Sequence, residues 1–150
     1  MARIHARRKG RSGSSPQTRQ DNPKWSPKAK DVEKKIVELA SEGHSTSQIG
    51  IALRDTHAVP SVKLAMGKSI SKVLAEKELS PLLPEDLTNL MRKAVRLGEH
   101  LKVNKKDNHN TRSLHLTEAK ILRLAKYYRS NNVIPTEWKY SLSNAKLLVG

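Results

Sequence analysis

No cysteine occurs among the 150 residues. That excludes disulfides, thiolate nucleophiles and Cys-ligated zinc or iron–sulfur sites together, so the fold must stand on packing alone. Aromatic side chains are nearly as scarce: there is no Phe, and Trp25, Trp138, Tyr127, Tyr128 and Tyr140 make up 3% of the chain. The core is left to Leu, Ile, Val, Ala and Met, which suits helices. Too few rings remain for the base-stacking platforms of RNA-binding sheets and oligonucleotide-binding barrels. Nor is there a run of about 18 apolar residues to span a bilayer, a short apolar stretch behind the basic N-terminus to serve as a signal peptide, or a lipidation motif. The protein is therefore expected to stay in the cytoplasm.

What abounds is positive charge. Twenty-nine Lys and Arg stand against 14 Asp and Glu, a formal net charge of +15. Such an excess needs a polyanionic partner. Nucleic acid is the commonest, because each Lys or Arg that neutralises a phosphate releases condensed counterions. The first thirty residues hold Arg3, Arg7, Arg8, Lys9, Arg11, Arg19, Lys24, Lys28 and Lys30 against Asp21 alone, interspersed with Gly and Ser. With almost nothing apolar to offset its ordering entropy, residues 1–26 read as an extended arm that orders on its partner. Arg3, Arg7, Arg8, Lys9 and Arg11 are its candidate RNA contacts; the alternative is a solvated tail without a defined site.

Helical punctuation begins at Ser26-Pro27, where Ser can cap and Pro can take the first helical position, followed by Val32, Ile36, Leu39 and Ala40 up to Gly43. A first helix over about 27–42 is predicted. Ser45-Thr46-Ser47-Gln48 fits a capping box and predicts a second over about 46–56. Val62, Met66, Ile70, Val73 and Leu74 keep the helical period and predict a third that ends near Glu78. From Pro84, Leu87, Leu90, Met91, Ala94, Leu97 and Leu101 form one stripe; after the polar stretch 104–110, Leu114, Ala119, Ile121, Leu122, Ala125 and Tyr128 form another. These two predict an antiparallel hairpin. A short helix is expected near 141–148. The fold class is all-α: the arm, a three-helix N-terminal part over 27–80, and a C-terminal hairpin with its tail over 81–150.

Few constellations suggest chemistry. The first two helices could form a DNA-reading helix-turn-helix, but Gln48 and Arg54 are the few side chains suited to base edges, and plain helical packing is the better reading. Among His5, His44, His57, His100, His109 and His115 no pair has i, i+4 spacing and no carboxylate cluster accompanies them, so no metal and no cofactor is expected. No phosphate loop, nucleophile elbow or paired-carboxylate arrangement assigns a catalytic role. The hairpin turn is more informative. Lys102, Lys105 and Lys106 can take phosphates, whereas Asp107 among them would be repelled unless it accepts from a donor such as a guanine amino group in the RNA minor groove. His100, seven residues earlier, could face the same surface. Equally, Asp107 could cap the following helix or pair with a lysine.

Leu97-Gly98-Glu99-His100-Leu101-Lys102, Lys105-Lys106-Asp107, Arg112-Ser113-Leu114 and Arg123-Leu124-Ala125-Lys126-Tyr127-Tyr128-Arg129 together resemble the signature of the ribosomal protein S15 family. Residues 1–10, Pro23-Lys24-Trp25 and the stretch from Pro135 to Tyr140 resemble its archaeal branch. The resemblance covers nearly the whole chain. It implies a helical, non-enzymatic constituent of the small ribosomal subunit that binds ribosomal RNA of the central domain at a three-way junction and an adjacent helix, among neighbouring ribosomal proteins. It places minor-groove contacts on His100, Asp107 and Asn110, and junction contacts on Tyr127 and nearby basic residues, with Arg112 and Arg123 as candidates. Asn110 departs from the serine usual in bacterial members; an amide also donates and accepts. A DNA-binding regulator is the runner-up reading and a small enzyme a distant third.

Overall fold

The computed structural model describes residues 21–149, all of whose regular elements are helices. They are α1 (Ala29–Ser41), α2 (Thr46–Asp55), α3 (Val62–Met66), α4 (Ile70–Glu76), α5 (Glu85–Val103), α6 (Asn108–Ser130) and α7 (Leu142–Val149). Two compact units divide between Leu82 and Leu83. Arg3, Arg7, Arg8, Lys9 and Arg11 of the expected arm lie outside the described residues.

In the N-terminal unit, α1 starts two residues later than predicted. Its N-cap is Lys28, with no side-chain cap, because Ser26 is held in a turn by its own N–H to the Pro23 carbonyl at 3.0 Å. The Ser26 hydroxyl is buried, with no hydrogen-bond partner among the described residues. Asp31 in the first turn complements the helix dipole instead. Gly43 ends the helix with φ +87°: its N–H reaches the Ala40 carbonyl and that of His44 the Leu39 carbonyl, a Schellman closure that needs the left-handed backbone. The capping box at α2 forms as predicted, the Gln48 amide N–H donating to Ser45 Oγ and Gln48 Oε1 accepting from Ser45 N–H.

The predicted third helix is two helices. Gly67, at φ +70°, closes α3 in the left-handed region, and Ser69 caps α4 by accepting from Lys72 N–H. The apolar period runs straight through this break, so periodicity alone could not see it. Val32, Ile36, Ile49, Leu53, Val59, Val62, Val73 and Leu74 are buried together as one core.

The C-terminal unit is the hairpin of α5 and α6 with α7 packed on α5. Glu85 and Asp86 occupy the first turn of α5. Tyr128, near the end of α6, donates its hydroxyl to Asp86 at 2.7 and 2.8 Å, while His100 near the end of α5 meets Asp107 at the start of α6. Contacts at opposite ends fix the two helices antiparallel. Their core holds Leu87, Met91, Ala94, Val95, Ile121 and Ala125, joined by Ile134 and Ala145. Leu122 was expected in the stripe but is exposed; it stands about 100° around α6 from buried Ile121. A Cβ on Gly98 would lie 2.9 Å from a Leu142 methyl, so the glycine lets α7 settle directly on α5. Lys146 adds an ion pair to Glu99 at 2.9 Å.

Candidate nucleic-acid interface

The hairpin turn assembles the first group of candidates. Asp107 is the N-cap of α6: one oxygen, Oδ1, accepts from the Asn110 backbone N–H at 2.9 Å. The other, Oδ2, accepts from Asn110 Nδ2 at 2.7 Å and lies 2.9 Å from His100 Nε2. His100, Asp107 and Asn110 therefore form one cluster. Helical periodicity is not what joins His100 to Asp107, because α5 ends at Val103; the turn folds them together. The backbone donor at Asn110, then His100, then the Asn110 amide hold the Asp107 carboxyl well below the usual carboxylate range. A carboxylate so fixed stays ionised in the same turn as exposed Lys105 and Lys106, with exposed Lys102 in the last turn of α5. Val103, Asn104, Lys105, Lys106 and Asp107 line an open hollow of about 440 Å³.

Capping does not exhaust the carboxylate. Each oxygen has two lone-pair directions. Oδ2 is engaged twice and Oδ1 once, which leaves one acceptor position on Oδ1 at a surface where about a quarter of the side chain, 28%, is accessible. Both expected roles, cap and acceptor for a further donor, are thus chemically open to the same residue.

The second group lies along α6. Arg112, Arg123 and Tyr127 are exposed, and their spacing puts them within about 60° on one helix face over about 22 Å. Asn110 projects roughly 160° from Arg112, so this stripe and the Asp107 cluster present different sides of the hairpin. Lys93 of α5 joins Ser113, Leu116, Thr117, Ala119, Lys120 and Arg123 of α6 in a groove of about 460 Å³ beside the stripe. Neither Lys93 nor Lys120 was singled out from sequence; their meeting depends on the pairing of two helices, for which no local signal exists. Tyr127 is exposed while Tyr128 is half-buried against the core, the rings meeting edge to face at 5.4 Å. Burial first, and then Asp86, raises the Tyr128 hydroxyl far above its ordinary value. Burial likewise pushes Tyr140, beside Glu118, up to about 12.

The two base-reading candidates of the N-terminal unit are engaged elsewhere. Gln48 is part of its capping box, and Arg54 binds the neighbouring Asp55 at 2.7 and 3.2 Å. No group of three His, Asp or Glu side chains able to hold a metal occurs among the described residues. No helix there is long and apolar enough to cross a membrane.

A helical hairpin with exposed cations along one side and a fixed carboxylate at its tip presents a surface suited to a polyanion. Comparison with known proteins gives the family. Residues 1–59 match the model described as ribosomal S13/S15 N-terminal domain, and residues 70–148 match that of ribosomal protein S15. The chain is 47% identical over 150 residues to the small ribosomal subunit protein uS15 of Methanococcoides burtonii, 46% to that of Methanocella arvoryzae and 48% to that of Methanocorpusculum labreanum, covering 99% of both chains in each case. The chain belongs to the ribosomal protein S15 family, whose role is structural and not enzymatic.

Proposed function

We propose that this ribosomal protein is built into the small subunit, in the cytoplasm, by gripping central-domain ribosomal RNA at two places on its C-terminal unit. The tip of the hairpin reads a minor groove: His100, Asp107 and Asn110 offer hydrogen bonds to base edges while Lys102, Lys105 and Lys106 hold the flanking phosphates. The side of α6 meets the three-way junction with Arg112, Arg123 and Tyr127. The basic arm, with Arg3, Arg7, Arg8, Lys9 and Arg11, adds affinity and little specificity. The observation that carries this reading is the ionised Asp107 fixed in a hollow lined by Lys105 and Lys106, with an acceptor position left open. The cap uses Oδ1 once, and the position it leaves open lets the same carboxylate accept from a base edge. Salt titrations against central-domain ribosomal RNA and duplex DNA test it. Affinity for the RNA is expected to exceed that for DNA at every salt concentration, whereas equal affinities would contradict it.

A further inference from the structure

We infer that Asn104 is a positioning residue that works with Asp107 to keep the proton of His100 on the ring nitrogen that faces the carboxylate. The tautomer follows from geometry; its consequence for RNA rests on the proposed minor-groove reading. Asn104 follows the last residue of α5, and its backbone N–H closes the helix on the His100 carbonyl at 2.9 Å. Its Nδ2 lies 3.2 Å from that same carbonyl oxygen. A carbonyl oxygen only accepts, so this end of the amide must be the NH2 group. The same Nδ2 lies 3.3 Å from His100 Nδ1. An amide NH2 has no lone pair to offer a ring N–H, so Nδ1 must be the acceptor and the proton belongs on Nε2.

Nε2 is the atom 2.9 Å from Asp107 Oδ2. The tautomer that Asn104 favours is thus the one that lets His100 donate to the carboxylate. With the proton on Nδ1 instead, an unprotonated Nε2 would face a carboxylate oxygen, lone pair against lone pair, and ring or carboxylate would have to turn. Asn110 obeys the same logic: its Nδ2, 2.7 Å from Oδ2, is a donor. Its 3.4 Å approach to His100 Nε2 then joins two donors aimed at one oxygen. The chain of donation runs from Asn104 to His100 to Asp107, with Asn110 closing from the other side. It holds Oδ2 fully engaged and leaves Oδ1 with only the Asn110 backbone N–H. Sequence alone gave Asn104 no role, since it reads as one more polar residue in the turn.

Long-range proton–nitrogen NMR of the full chain, with its histidine side chains labelled, reads the tautomer of His100 directly. The wild-type chain is expected to carry the proton on Nε2. Asn104→Asp, which keeps the size and exchanges donor for acceptor, is expected to protonate Nδ1 as well as Nε2 and give an imidazolium held between two carboxylates. Asn104→Leu, similar in size and uncharged, should leave Nε2 protonated in most molecules, because Asp107 still accepts from it, while admitting a fraction protonated on Nδ1 instead, and should weaken cognate RNA about three- to tenfold without changing the salt slope. Asn104→Gln, which retains the amide NH2, should restore the wild-type pattern. An unprotonated Nδ1 in all four chains would overturn the inference. A tautomer that shifts as expected with cognate affinity unchanged would uphold the positioning role and remove the minor-groove reading instead.

Discussion

The two units of this chain manage charge in opposite ways. Residues 21–82 carry ten Lys and Arg against eight Asp and Glu; residues 83–149 carry thirteen against six. In the N-terminal unit acids are paired with cations: Glu33 with Lys77, Glu38 with Lys35, Asp55 with Arg54 and Glu76 with Lys68. In the C-terminal unit Glu99 pairs with Lys146, but Asp86 accepts from Tyr128, Glu118 from Tyr140 and Asp107 from His100 and Asn110. Acids held by hydroxyls, an imidazole and an amide leave the surrounding cations for another partner. Placing the acids, as much as adding Lys and Arg, turns one helical unit toward a polyanion while the described part of the other, residues 21–82, stays close to neutral.

The largest effect expected is on stability, and it asks whether the two cores serve the same end. Ile36 and Ile121 are both fully buried, one in each core. Replacing either by Ala is expected to cost about 2 to 5 kcal/mol, read by denaturant unfolding. Below the melting temperature Ile36→Ala should leave the RNA affinity of the hairpin intact, whereas Ile121→Ala, which loosens α5 against α6, should weaken it. Loss of RNA affinity on Ile36→Ala in a folded chain would break the contrast.

Charge removal sharpens it. Lys105→Ala is expected to lower the slope of log affinity against log salt by about 0.7 to 0.9, while Lys34→Ala in the N-terminal unit should leave that slope unchanged. Equal changes would mean that both units face phosphate. Deleting residues 1–25 should flatten the slope by a similar step for each phosphate that the arm no longer neutralises.

Smaller effects separate the paired tyrosines. Tyr128→Phe removes the bond to Asp86, a partly exposed contact, and should cost about 1 kcal/mol or less with RNA affinity retained. Tyr127→Phe should leave stability unchanged and weaken RNA binding. The reverse pairing would overturn the assignment of Tyr127 to the RNA side. The smallest effect is on pH dependence. Asp107 has a lowered carboxyl value, so its contribution to stability is complete above the ordinary carboxylate range and declines as pH falls through the lowered value. Between pH 5 and pH 2, wild type should therefore lose more stability than Asp107→Ser, which keeps a capping oxygen and removes the charge; parallel loss would contradict this.

The reading from sequence succeeded where signals are local. Ser45 and Gln48 announce α2, Pro84 with Glu85 and Asp86 announces α5, and alternating stripes announce the hairpin. It failed where a local stop is hidden under a continuing period, as at Gly67 and Ser69, and where an apparent cap is used otherwise, as at Ser26. Of the candidate site, charge and family resemblance located the members but not their bonds. The contacts between Asp86 and Tyr128 and between Lys93 and its groove arise when distant segments meet, and the turn folds His100 onto Asp107, whereas the Asp107 cap at Asn110 and the Asn104 contact with His100 follow local spacings of three and four residues.

The central claim is that a carboxylate among lysines reads RNA. Its most direct test is a pair of salt titrations of Asp107→Ser on cognate central-domain RNA and on a non-cognate RNA helix, with folding checked by circular dichroism. The account predicts that cognate affinity falls about 5- to 150-fold at an unchanged salt slope, while non-cognate RNA binds equally well or better. Tighter binding of Asp107→Ser to the cognate RNA would contradict it, since that is the behaviour of a helix cap that merely tempers the surrounding charge.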